Sequence, residues 1–155
     1  MNATRSGSTS GAELPSVTLV RRIKAPPARI FAALTSPAQM LRWWGPDAGP
    51  TLHAEADIRA GGRFSVVFRM LNGEEHNPTG VYREVVQDRK LVFTWEWPGR
   101  PEAESLVTIL LKPITGGTEL TLTHAQLPGS EARDSHRAGW HGFLDQLEGF
   151  LGENA

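Results

Sequence analysis

The chain ends in a stripe of apolar residues at helical spacing. The stripe consists of Trp140, Phe143, Leu144, Leu147, Phe150 and Leu151. Separations of three, four and seven residues place these side chains on one face of an α-helix, and Gly142 and Gly149 fall on its outer side. A single long helix has to bury such a face, and a sheet is the other large element that the sequence predicts. The pattern therefore predicts a C-terminal helix on the concave face of a sheet, with a pocket between them.

The middle of the chain alternates between apolar and polar residues with a period of two, which is typical of strands. Six such segments follow one another, at residues 51–58, 64–70, 80–86, 91–97, 105–111 and 120–124. In the first segment the alternation directs Leu52, Ala54, Ala56 and Ile58 inward. Turn signals such as Gly116-Gly117 join the segments, so the strands are expected to form an antiparallel meander.

The region before these strands contains one further strand, at residues 17–24, and two short helices. Pro27 and Pro37 can each begin a helix, because proline fits the first helical position. Ser36 and Ser130 are expected to cap the second short helix and the terminal helix. The predicted fold is thus α+β: a curved antiparallel seven-stranded sheet around a long C-terminal helix, with two short helices after the first strand.

Composition restricts the function classes. The 155 residues suffice for one domain, predicted at 16–152, and residues 1–15 have the composition of a flexible N-terminal leader. Sixteen basic residues balance seventeen acidic ones, so neither nucleic acid nor an anionic membrane is an expected partner. The chain has no cysteine, no signal peptide and no apolar run long enough to cross a membrane, and we predict a cytoplasmic protein.

Two histidines are the chemically versatile groups that the pattern directs toward the interior. His124 shares strand parity with Leu120 and Leu122, and His136 lies one helical turn before Trp140. They could hold a polar group of a ligand or transfer a proton. Alternatively, each satisfies a buried backbone group, or His136 lies at a frayed helix start. Both interpretations stay open, and no catalytic residue is predicted.

A metal site is not predicted. His53, Glu55 and Asp57 alternate on one strand face, but their spacing spreads them too far apart for one small ion. Opposite a clean apolar face, they are expected to form a solvated surface. The glycines of Gly61-Gly62-Arg63 do not lead into a helix, so they form no phosphate-binding loop. No cofactor is expected.

Short motifs spread over residues 17–151 resemble a known family. They are Ala25-Pro26-Pro27, Ile30-Phe31, Leu34-Thr35, Pro37, Trp43-Trp44, Asp57-Ile58-Arg59, Gly61-Gly62-Arg63-Phe64, Gly80, Tyr82, Leu91-Val92-Phe93-Thr94-Trp95, Leu120-Thr121-Leu122-Thr123-His124, His136, Gly139-Trp140 and Leu144. As a set they resemble the AHSA1-like branch (activator of Hsp90 ATPase homolog) of the SRPBCC superfamily, which includes START domains and birch-pollen allergens. The resemblance implies the helix-grip fold. Members of the superfamily hold apolar ligands, catalyse cyclisations in a few cases, and in one case activate a chaperone.

The preferred prediction is a small-molecule-binding protein with a largely apolar cavity between the sheet and the C-terminal helix. The ligand-binding candidates are Trp43, Trp44, Phe64, Phe68, Tyr82, Phe93, Trp95, Trp97, His124, His136, Trp140, Phe143 and Leu144. The expected partner is a small apolar or aromatic molecule. One alternative is a co-chaperone of an Hsp90-type ATPase. Another is a cyclase or hydrolase acting on an aromatic or polyketide-like substrate. The sequence is compatible with either a monomer or a homodimer.

Overall fold

The computed structural model describes residues 14–153, with the backbone alone at 101–103, so most of the predicted leader lies outside the described residues. Three helices and eight strands make up the described fold. In chain order they are β1 Val17–Ile23, α1 Pro27–Thr35, α2 Pro37–Trp43, β2 Thr51–Ala56, β3 Arg63–Arg69, β4 Glu75–His76, β5 Thr79–Val86, β6 Lys90–Trp97, β7 Arg100–Ile114, β8 Gly117–Ala125 and α3 Ser130–Glu153.

Seven of the strands form one antiparallel path in the order β1-β8-β7-β6-β5-β3-β2. The sheet curls into a half-barrel around α3, and the predicted helix-grip fold is confirmed. The eighth strand, β4, has only two residues and pairs with the end of β3. It lies in the polar segment after Asn72-Gly73, between the predicted strand segments 64–70 and 80–86.

The core lies between the concave face of the sheet and the apolar stripe of α3. All six stripe residues are buried, as the helical spacing predicted. Facing residues on the long central strands, such as Val107, Ile109, Leu120 and Leu122, are at most 1 % exposed. The period-two alternation therefore identified the inner face of these strands correctly. Among the helices of residues 14–153, none has the length and apolar character needed to cross a membrane.

Three local predictions from the sequence are wrong. Leu52 is 42 % exposed, because the β2–β3 register shifts between Thr51 and His53 in this edge strand. The Ser36 side chain makes no capping hydrogen bond to the described part of α2, although Pro37 does begin that helix. Ser130 is the first residue of α3 rather than its cap, and the carbonyl of Gly129 accepts the first helical bond, from the Arg133 N–H.

Gly142 does not lie on an open side of α3, contrary to the sequence prediction. A Cβ atom at this position would stand 1.9 Å from the carbonyl oxygen of Pro46, in the loop after α2. The missing side chain therefore allows the helix backbone to approach that loop closely. At Gly149, by contrast, a Cβ atom would meet no atom within 4 Å.

The two glycines make a matched pair for a stability test. We expect Gly142→Ala to lower the free energy of unfolding by about 1–3 kcal/mol, because the backbone of the Pro46 loop has to move. Gly149→Ala should instead raise it by up to about 1 kcal/mol, since alanine favours the helix. Urea unfolding of the three proteins measures both effects. A stabilising Gly142→Ala would contradict the close approach.

Candidate functional site

The space between sheet and helix is largely filled by side chains. One small cavity within it measures about 10 Å³, which is roughly the room that one water molecule needs. Its lining is largely apolar, with the Tyr82 hydroxyl and the Trp44 indole N–H as polar groups, and consists of Leu34, Trp44, Phe64, Tyr82, Leu91, Phe93 and Ile109. A ligand larger than a water molecule would have to displace some of these or neighbouring side chains.

Aromatic rings account for much of this filling. Trp95 contacts aromatic rings of both α3 and the sheet. The centroid of its ring lies 5.0 Å from that of Trp140, 6.2 Å from that of Phe64 and 6.4 Å from that of Phe93. Trp140 in turn lies 4.9 Å from Phe143, edge to face. Edge-to-face and tilted pairs at these separations are favourable arrangements of aromatic side chains. The rings thus form a continuous layer from the sheet to α3.

The layer continues to the end of α2 through Phe143. The Trp43 and Trp44 rings lie 4.7 and 4.8 Å from it, and the Trp43 indole N–H donates to the carbonyl of Ala33 at 3.0 Å. Both tryptophans are at most 5 % exposed. They close the core at this position, with Leu144 also fully buried on the adjoining turn of α3.

His124 is the most deeply buried titratable group of the site, with no exposed surface. The indole N–H of Trp140 donates to its Nδ1 at 2.9 Å. Because an indole nitrogen is only a donor, Nδ1 must be the unprotonated acceptor and Nε2 carries the proton. That Nε2–H then donates to the Ser105 hydroxyl oxygen at 2.6 Å, and the serine hydroxyl in turn points to the Trp95 carbonyl at 3.5 Å.

This hydrogen-bond direction determines what His124 and Ser105 can do chemically. A histidine that activates a serine nucleophile must accept the serine proton. Here the nitrogen facing Ser105 already carries a proton, and Trp140 occupies the other nitrogen. Burial, together with the neighbouring His136, also lowers the pKa of His124 to about 3, so the ring is neutral at pH 7. The pair is therefore arranged as a fixed polar scaffold rather than as a nucleophile with its base.

His136 lies against His124, with ring centroids 4.6 Å apart and the planes nearly perpendicular. Its Nδ1 lies 2.8 Å from the carbonyl of Ala132, one turn earlier in α3. A carbonyl only accepts, so Nδ1 carries the proton and Nε2 of the neutral ring is an acceptor. Burial lowers the pKa of His136 and favours this neutral form.

Two buried polar atoms of the site lack hydrogen-bond partners among the described residues. They are Nε2 of His136 and the indole Nε1 of Trp95. One is an acceptor and the other a donor, and both rings contact the His124 ring. Leaving such atoms buried and unpaired costs about 1–3 kcal/mol each. The interior next to His124 therefore contains two buried polar groups whose hydrogen-bonding capacity is unused by the described residues.

Half-buried rings connect these atoms to the surface. We use the term mouth cluster for Phe68, His76, Trp97 and His136. Successive ring centroids along this series are 5.6, 5.9 and 6.1 Å apart. Phe68 is buried, whereas the other three rings are partly exposed. The mouth cluster lies where β3, β4 and β6 face the first turns of α3.

A family model matches most of this chain. The model describes the Activator of Hsp90 ATPase homolog 1-like protein and matches residues 24–152. The chain belongs to this family. A comparison with curated proteins gave no match.

Solved structures of similar proteins show the same fold as this AHSA1-like domain. A Chromobacterium violaceum protein is 26 % identical, with a TM-score of 0.77, over 86 % of this chain and 94 % of the other. A Nitrosomonas europaea protein is 23 % identical, with a TM-score of 0.77, over 92 % and 97 %. The AHSA1-like protein of Aeromonas hydrophila is 20 % identical, with a TM-score of 0.78, over 90 % and 94 %.

The predicted ligand-binding residues of the AHSA1-like domain divide into three groups. Trp43, Trp44, Phe143 and Leu144 close the core near α2. A second group lines or adjoins the small cavity and consists of Phe64, Tyr82 and Phe93. The third surrounds the unpaired atoms and consists of Phe68, Trp95, Trp97, His124, His136 and Trp140. Their role in binding remains a prediction.

Tyr82 is the predicted ligand-binding residue that carries a hydroxyl group. It is 3 % exposed and belongs to the cavity lining, where burial, with the charge of Asp57, raises its pKa. The hydroxyl therefore stays protonated at physiological pH. It lies with the second group, away from the two histidines.

Two residues of the site were not singled out from the sequence. Ser105 begins one of the alternating segments, but nothing in the spacing indicates that it meets His124 across the β7–β8 pair. His76 lies in the polar segment after Asn72, where the alternation is lost, and β4 brings it beside Phe68. The residue opposite His124 is Val107, and Ser105 lies two residues before it on the same strand face. A polar residue at inward parity, two positions from the residue opposite an inward histidine, is the signal that could have identified Ser105.

The alternating polar residues of β2 form no metal site in the described structure. His53 contacts Glu55, and Asp57 instead pairs with Arg59 at 2.9 Å. Across residues 14–153, no group of three histidine, aspartate or glutamate side chains is close enough to hold a metal ion.

Proposed function

We propose that this domain binds a small, largely apolar molecule between the sheet and α3, entering at the mouth cluster and reaching Trp95 and His136. The observation that carries the proposal is the pair of unpaired buried atoms, the Trp95 indole nitrogen and His136 Nε2. A ligand that bonded to both would remove their desolvation cost, which the folded protein otherwise bears.

The surroundings of these atoms support the same function. Small-molecule sites are mostly apolar, with a few polar groups that fix the ligand's orientation. Here the half-buried Trp97 and His76 rings supply apolar and aromatic surface at the entrance. His124 holds Trp140 and Ser105 in place by two hydrogen bonds, which keeps the inner wall rigid.

Entry of a ligand requires a local movement, because the Trp95 and His136 nitrogens are buried behind packed aromatic rings. The N-terminal part of α3, up to Gly139, is exposed or half-buried, whereas the helix is anchored from Trp140 onward by its buried stripe. Segments with few buried apolar contacts open at low free-energy cost. We expect the first turns of α3 to move away from Trp97 when a ligand enters.

A neutral apolar fluorophore, N-phenyl-1-naphthylamine, tests the proposal directly. Its emission should rise on mixing with the protein, and Trp97→Ala should weaken binding by about ten-fold because an entrance ring is lost. Leu110→Ala is the matched control, since Leu110 is 42 % exposed on the outer face of the sheet. The proposal is contradicted if emission does not rise, or if Trp97→Ala and Leu110→Ala bind equally well.

The family assignment favours a second candidate function, modulation of an Hsp90-type ATPase. The supporting observation is the match of the family model over residues 24–152. ATPase turnover of such a chaperone, measured with saturating amounts of this domain, separates the two functions. A changed rate supports the co-chaperone function, and an unchanged rate counts against it.

A further inference from the structure

We propose that the ligand of this site presents a neutral hydroxyl group, as a phenol or an alcohol does, which accepts from the Trp95 indole N–H and donates to His136 Nε2. This inference rests on the proposed ligand-binding function and specifies the chemical class of the ligand. It follows from the donor and acceptor character of the two atoms that lack partners.

The first requirement comes from Trp95. Its indole nitrogen can only donate, so the ligand atom next to it must be an acceptor. The ring is 5 % exposed and is held between Trp140 and Trp97, whose centroids lie 5.0 and 5.7 Å away. The direction of this N–H is therefore fixed by packing before any ligand arrives.

The second requirement comes from His136. Its Nδ1–H is committed to the Ala132 carbonyl at 2.8 Å, so the free Nε2 of the neutral ring accepts. Its burial and its position 4.6 Å from the His124 ring both disfavour a positive charge there. The ligand atom next to His136 must therefore be a donor.

The two side chains that set these requirements have neighbours in common. The rings of Trp95 and His136 both contact the ring of His124, at 6.1 and 4.6 Å, and both contact Trp97, at 5.7 and 6.1 Å. A hydroxyl group is a small neutral group that an organic ligand can carry and that accepts and donates at once. The surrounding aromatic faces suit an aromatic or alicyclic carbon frame.

Carboxylates, ethers, ammonium groups and hydrocarbons each leave at least one of the two atoms unpaired. A carboxylate or ether oxygen accepts from Trp95 but offers no proton to His136. An ammonium group donates to His136 but cannot accept from Trp95, and its charge would be buried without a counter-ion. A pure hydrocarbon serves neither atom.

Four probes with the same ring system separate these classes: 1-naphthol, 1-methoxynaphthalene, naphthalene and 1-naphthoate. Affinities are measured by titration at pH 7.5, following the indole N–H signals in ¹H–¹⁵N spectra. We expect 1-naphthol to bind at least ten-fold more tightly than the other three. The Trp95 indole signal should shift most with 1-naphthol.

Trp95→Phe should reduce this preference to three-fold or less, because it removes a donor that has no hydrogen-bond partner among the described residues. Leu110→Ala is again the control. Leu110 is exposed on the outer face of the sheet, so its truncation should leave the preference intact. The thermal unfolding midpoint of each variant confirms that it is folded.

Two different failures are distinguishable. If none of the four probes binds, the proposed ligand-binding function is contradicted, and this inference with it. If the probes bind with equal affinity, or if 1-naphthoate binds most tightly, the site exists but the hydroxyl inference is wrong. A preference for 1-naphthol that survives Trp95→Phe also overturns it.

Discussion

Acidification from pH 7 to pH 4 should lower the free energy of unfolding by about 3 kcal/mol through His124 alone. The pKa of this side chain is about 3 in the folded protein, against its ordinary value of 6.5 in the unfolded chain. Between these two values the unfolded chain binds a proton that the folded protein excludes. The stabilisation is therefore complete above pH 6.5 and is lost as the pH falls toward 3.

Burial is the main cause of this effect, and His136 adds to it with the same sign. Urea unfolding at pH 7 and at pH 4 measures the loss. His124→Asn serves as the control, because the amide oxygen can still accept from Trp140 but cannot gain a proton in this range. The variant should lose about 3 kcal/mol less than the unmodified protein on acidification.

The comparison with His124→Asn isolates the contribution of His124, since both proteins contain every other titratable group. Should the variant fail to fold, NMR titration of the unmodified protein measures the pKa of folded His124 directly. Protonation of folded His124 above pH 5 would contradict the buried neutral tautomer.

Truncation of Trp140 should destabilise the protein by about 3–5 kcal/mol, since it removes a large ring from the centre of the core. Trp140 is 4 % exposed and contacts Trp95, His124 and Phe143. Trp140→Ala therefore opens a large space and also leaves Nδ1 of His124 without its donor. Urea unfolding at pH 7 measures the change.

Trp140→Phe separates the two contributions. The phenyl ring fills most of the space but offers no N–H, so we expect a smaller loss of about 1–3 kcal/mol. The ¹⁵N shifts of His124 should then show a mixture of tautomers, because nothing fixes Nδ1 as the acceptor. An unchanged tautomer in Trp140→Phe would show that Ser105, and not Trp140, determines the protonation of this ring.

The elements of the fold could be predicted from the sequence because burial follows their periodicities. The stripe from Trp140 to Leu151 and the alternation in β7 and β8 each bury one face, and the observed burial follows both patterns. The orientation of Leu52 was predicted wrongly, because a register shift in the edge strand β2 turns this side chain outward and leaves no signal in the alternation.

The polar part of the site was harder to predict than its apolar part. Inward parity was sufficient to direct His124 to the interior. However, its partner Ser105 lies nineteen residues earlier on the neighbouring strand, and the contact depends on the exact β7–β8 register. Likewise, the role of Gly142 depends on where the loop after α2 passes α3, which no local pattern encodes.

The measurement that tests the ligand-binding proposal most directly is the mass of the freshly purified protein under native conditions, compared with its denatured mass. The proposal predicts a discrete mass excess that disappears on denaturation, and the released molecule should be largely apolar and carry a hydroxyl group. A native mass equal to the denatured mass, together with no binding of 1-naphthol or N-phenyl-1-naphthylamine, would contradict it.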